Sequence, residues 1–118
     1  MKQKKYKVRL QDQEIEKIID SISCTIRNAH LKMNNISLAF YGSRTKLEKK
    51  GGDIDLILSV PEFILASVST LKISILNEIC KNIGDRKIDL LIMSTSGYQS
   101  EFEKKALQEA VFIKTWHI

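Results

Sequence analysis

Two cysteines, one proline, five glycines and a single tryptophan are all that 118 residues contain of these types, and each scarcity excludes something. Cys24 and Cys80 are too far apart for a metal-ligand motif and have no histidine clustered with them, so free buried thiols are expected. His30 and His117 form no pair, which leaves no Cys-His nucleophile. With so little proline and glycine there is no interdomain linker, and no repeat or low-complexity tract stands in for one. Aromatic residues, at 7%, interleave too rarely with basic ones to make a stacking surface for single-stranded nucleic acid. No apolar run approaches the length of a membrane span, so no membrane partner is expected. The start of the chain, with Lys2, Lys4, Lys5, Lys7 and Arg9, begins like a signal peptide, but Gln11 to Glu16 follows where an apolar core belongs. A cytoplasmic location is the expectation.

What is present is a modest basic excess, 19 lysines and arginines against 14 carboxylates, net +5. It concentrates in residues 1–10 and in residues 44–50. The first segment reads as a solvated, disordered arm; an acidic protein partner or nucleic acid remain the alternatives, through nonspecific attraction. Residues 11–118 have the length of one domain with one core, and no room for a second domain to hold a substrate.

Hydrophobic periodicity divides that domain into helices and strands. Apolar residues at 15, 18, 19, 22, 26 and 29 predict a helix from Asp12 to Met33, with Asp12 as a possible cap. After Pro61, well placed at a helix start, Ile64, Val68, Leu71, Ile75 and Ile79 predict a second helix over 62–83. A third runs from about Tyr98 to Ala110, with Val111 to Ile118 either extending it or folding back as a strand. Alternation at Ile36, Leu38 and Phe40 predicts a strand over 36–41, and Arg86 to Met93 reads as another, short and buried. The fold class is α/β (α+β), a short mixed sheet flanked by helices.

Chemistry concentrates between these strands. Gly42-Ser43-Arg44 follows the first strand, and after eight further residues comes Asp53-Ile54-Asp55. Alternate residues of a strand share a face, so Asp53 and Asp55 lie roughly 7 Å apart at Cα and their carboxylates can converge on one cation. Such hard oxygen donors suit Mg²⁺, which completes its shell with water and substrate phosphates. Gly42 permits a tight turn and close approach of a ligand, and Ser43 can cap a short helix whose amides attract phosphate. Arg44 can contact a triphosphate or stay solvated. The segment Lys46 to Gly52, basic through Lys46, Lys49 and Lys50, reads as a solvated loop that returns to the strand at Gly51-Gly52. Asp89, in the middle of its apolar run, needs a partner if buried: Arg86, Lys87, a backbone amide or, with Asp53 and Asp55 near, a metal.

Gly42-Ser43, nine residues, Asp53-Ile54-Asp55-Leu56 and a later strand bearing Asp89 resemble the active-site pattern of the polymerase-beta-type nucleotidyltransferase superfamily. The likeness spans Ile36 to Met93 and is nearest to the minimal MNT-type proteins, the antitoxin half of HEPN/MNT toxin-antitoxin pairs. The resemblance implies that Asp53 and Asp55 bind metal and that Asp89 is the third carboxylate, helping to bind metal and to activate the attacking hydroxyl. It implies that Gly42 and Ser43, joined by Arg44, contact phosphate. It further implies two Mg²⁺ ions with substrate, ATP or another nucleoside triphosphate as donor, and AMP transfer to a tyrosine hydroxyl on a HEPN-type toxin, since this chain has no acceptor domain of its own. A second reading, from a different functional class, is an antitoxin that neutralises its partner by occlusion, with the pocket kept for nucleotide binding or no longer used.

Overall fold

The computed structural model describes residues 5–45 and 53–117. The elements run α1 (Asp12–Asn28), β1 (Ile36–Tyr41), a 3-10 turn (Gly42–Thr45), β2 (Ile54–Val60), a second 3-10 turn (Glu62–Ile64), α2 (Leu65–Ser69), α3 (Lys72–Ile83), β3 (Ile88–Ser94), α4 (Glu101–Glu109) and β4 (Val111–Trp116). The strands form one mixed sheet in the order β3-β2-β1-β4. β1 is antiparallel to both β2 and β4, and β2 is parallel to β3, with α2 and α3 carrying the chain across. The expected mixed sheet flanked by helices is the observed architecture.

Strand alternation sorts the core into two unequal parts. Ile36, Leu38 and Phe40 of β1, Ile54, Leu56, Leu58 and Val60 of β2, and Leu90 of β3 join Ile15, Ile18, Ile22 and Ile26 of α1, Val68 of α2 and Ile75 and Ile79 of α3. On the other face Ala39, Ile57 and Met93 meet Ala106 of α4, with Tyr41, Leu91, Leu107 and Ala110 packed at the edges.

Local chemistry moves several predicted boundaries. α1 stops at Asn28 rather than Met33, because the chain turns through Ala29 and a left-handed His30 (φ 63°). Asp12 does not cap it; its carboxylate instead accepts from the backbone N–H of Lys5 at 2.7 Å and of Tyr6 at 3.4 Å. Those bonds tie down the last six residues of the segment expected as a free arm. Val8 and Leu10 enter the core, and the Tyr6 hydroxyl donates to Glu16 at 2.9 Å. The arm's alternating lysines hid two apolar anchors.

The predicted helix over 62–83 is broken. A 3-10 turn and α2 meet α3 at a 65° bend at Thr70-Leu71. Ser67-Val68-Ser69-Thr70 is a poor helix run, and the Thr70 hydroxyl donates back to the Ser67 carbonyl at 2.6 Å, offering the backbone another partner. α3 ends at Gly84, whose φ of 90° suits only glycine and whose N–H returns to the Cys80 carbonyl. α4 is shorter than predicted and begins after Ser100, whose hydroxyl accepts from the Glu103 N–H at 3.1 Å. The tail takes the strand alternative as β4. Cys24 is exposed on α1 rather than buried, and Cys80 is half-buried. Among the described residues no single helix is long and apolar enough to cross a membrane.

Candidate functional site

The end of the sheet where β1 stops and where β2 and β3 start gathers the predicted residues. Directly opposed residues on neighbouring strands share a face. Tyr41 is opposite Asp55, and Asp55 is opposite Asp89, so the three form a row across β1, β2 and β3 on the α4 side. Gly42 closes this row at the β1 end. Its φ is 73°, and a Cβ placed there would run into Oδ2 of Asp55, so the position needs glycine twice over. The Thr45 hydroxyl donates to the Gly42 carbonyl at 2.6 Å and fastens the turn.

Asp55 is the most perturbed group of the row. Burial, then the charge of Asp89 and a hydrogen bond with it, then the charge of Asp53, push its carboxyl up to about 6, while Lys87 opposes the shift. A carboxyl that keeps its proton well above its usual range does so because its charged form has lost water and faces a second carboxylate. The Tyr41 hydroxyl is also raised, by burial and then by Asp55 and Asp89. Asp89 itself is exposed, the second residue of β3, so the burial that was to demand a partner does not arise. Neither basic neighbour pairs with it in the expected way. Arg86 reaches Glu14 on α1, and Lys87 lies 3.5 Å from Oδ2 of Asp53.

Asp53 thus stands just before β2, beside Lys87 and one step outside the Asp55–Asp89 pair. Among the described residues no group of three or more Asp, Glu, His or Cys side chains is arranged to hold a metal ion. The turn that follows β1 is a single 3-10 turn, so the expected helix dipole contributes little to phosphate binding. Ser43 and Arg44 belong to that turn; their expected side-chain contacts, like the basic loop with Lys46, Lys49, Lys50, Gly51 and Gly52, lie outside the described part of the structure.

Sequence reasoning missed two contributors, Tyr41 and Phe102, and assigned a third, Lys87, to Asp89. Lys87 sits two residues before Asp89 on the same side, a spacing that puts it opposite Asp53. Tyr41 precedes Gly42 and is in register with Asp55. Phe102 of α4 meets Tyr41 edge to face, with ring centroids 6.3 Å apart at 84°, and no local signal announces that contact. Beside them opens a cleft of about 240 Å³ lined by Tyr41, Gly42, Phe102, Lys105, Ala106 and Glu109.

No protein-family model and no curated protein sequence matches this chain. The crystal structure of a "putative nucleotidyltransferase" from Sulfolobus solfataricus is similar over 90% of this chain and 90% of its own, at 14% identity and a TM-score of 0.41. A likeness that low leaves the function to be argued from the residues.

Proposed function

We propose that this chain is a metal-dependent nucleotidyltransferase of the polymerase-beta type, moving AMP from ATP to a hydroxyl of a protein partner and acting as the antitoxin of a HEPN-type toxin. The observation that carries this reading is the Asp55–Asp89 pair, in register across β2 and β3 beside the Gly42 turn. Two hard oxygen donors side by side fit a divalent cation, which would offset both the burial and the neighbouring Asp89 charge that push Asp55 up to about 6. Mg²⁺ bound there would neutralise phosphate charge and the oxygens of the displacement.

The chain's own groups then have separate tasks. Asp55 and Asp89 would hold the cation, and Asp53, now beside Lys87, would be the third carboxylate available to it. Gly42 lets a phosphate approach the backbone without a side chain in the way. In the displacement the acceptor hydroxyl oxygen bonds to the α-phosphorus, the bond to the pyrophosphate oxygen breaks, and the hydroxyl proton passes to the Asp89 carboxylate.

The purified chain, Mg²⁺, ATP labelled at the α-phosphate and the protein encoded beside it form the test. Label should move to the partner and should not move with an Asp53→Ala, Asp55→Ala double variant. Absence of label, with the partner still inhibited by that variant, overturns the enzyme reading in favour of inhibition by occlusion. The ion pair that keeps Asp53 beside Lys87 is what favours that second reading.

A further inference from the structure

The cleft beside the Gly42 turn has a character unlike the carboxylate row. It is lined by Tyr41 and Phe102, whose rings meet edge to face, by Gly42 and Ala106, and by the polar groups of Lys105 and Glu109, one helical turn apart on α4. Phe102 is 62% exposed, in the first turn of α4 and one turn before Ala106 on the side of the helix that meets the sheet. At about 240 Å³ the cleft falls below the range of about 300–1,000 Å³ usual for whole drug-sized ligands, so it suits one flat part of a larger molecule. We propose that it is the slot for the base of a nucleoside triphosphate whose phosphates meet the Gly42 turn and the Asp55–Asp89 pair.

This rests on the transferase reading and adds to it the means by which the donor is held. Tyr41 belongs to both places. Its ring lines the cleft, and its backbone is opposite Asp55, about 5 Å away across the β1–β2 pair. A ribose spans the step between them. An aromatic platform that accepts a ring face is the usual means of holding a base, and it tolerates every base because each has a π-face. Lys105 and Glu109 add one donor and one acceptor for the base edge. A pair of opposite charges on a largely apolar floor suits a neutral heterocycle better than a phosphate chain, which would meet Glu109 unfavourably.

Equilibrium dialysis of the full chain in Mg²⁺ tests the slot, with ATP, GTP, CTP and UTP against inorganic tripolyphosphate. The nucleotides should bind about tenfold tighter than tripolyphosphate. Phe102→Ala, at an exposed position, should remove that advantage and leave tripolyphosphate binding unchanged; Phe102→Trp should retain it. Equal affinity for nucleotides and tripolyphosphate in the wild-type chain, or nucleotide affinity untouched by Phe102→Ala, overturns the slot alone. Nucleotide binding that depends on Phe102 but survives Asp55→Asn and chelation upholds the slot and overturns the carboxylate site. Failure of every ligand to bind overturns both.

Discussion

Among the described residues one face of the sheet is roofed by α1, α2 and α3, the other by the nine residues of α4. The first face presents a continuous row of Ile, Leu and Phe from three strands, and the segment 5–10 seals its margin. The second offers Ala39, Ile57 and Met93, then Tyr41, which Phe102 of α4 still touches, and beyond it Asp55 and Asp89. Burial that stabilises the fold and exposure that permits chemistry are thus divided between the two sides of the same strands. Residues 54, 56 and 58 of β2 enter the core, and residue 55 between them faces the row with Tyr41 and Asp89.

The largest test of this division is to remove a large side chain from each face. Phe40→Ala, in the fully buried face, should cost about 3–5 kcal/mol in urea unfolding. Met93→Ala, beneath the thin α4 layer, should cost about 2 kcal/mol, because the site can collapse more easily. Equal losses would mean that α4 covers its face as firmly as α1 and α3 cover theirs.

A smaller effect is expected at the join between turn and row. Gly42→Ala must hold alanine at a φ of 73° and displace the Asp55 carboxylate, at a cost of about 1–2 kcal/mol. Crystallography of the variant should find the Asp55 side chain turned away from the turn. An unmoved Asp55 with unchanged stability would show that the glycine has no such role.

The smallest effect has the opposite sign. Asp55 is raised in the folded chain, from 3.8 to about 6, chiefly by burial and by Asp89, so between these values the folded state binds more protons than the unfolded one. In metal-free buffer, stability should therefore be highest below about pH 4 as far as this group is concerned, and fall as pH rises towards 6. Asp55→Asn should remove that slope and stabilise the metal-free chain at pH 7.5 by about 1 kcal/mol, the gain being limited because the carboxyl is partly open to solvent. Thermal unfolding across pH in chelator measures it, and a variant less stable than wild type at pH 7.5 would refute the repulsion between Asp55 and Asp89.

Much of the scaffold is legible from period alone. Alternation located β1, and the 3.6-residue stripe located α1 and both parts of the α2–α3 region, because these patterns reflect which side of each element is buried. The break at Thr70-Leu71 was not legible: Ile64, Val68, Leu71, Ile75 and Ile79 keep a helical stripe straight through it, while the competing hydroxyl bond of Thr70 acts on the backbone. Of the site, the strand positions of Asp55 and Asp89 could be read locally. Their pairing could not, since register between parallel strands separated by a crossover is set by the whole core. The partner of Lys87 was misassigned for the same reason: sequence proximity favoured Asp89, and strand register delivered Asp53.

The parallel pairing of β2 and β3 has a consequence in time as well as in space. Asp55 and Asp89 become neighbours only after the chain between Val60 and Ile88 has closed, a long loop whose ends are joined at an entropic cost and slowly compared with a hairpin such as β1–β2. A cation requiring both carboxylates would find nothing to bind on a collapsed but unpaired chain. Its capture during refolding would therefore follow the formation of β3 and act as a clock for the last stage of folding.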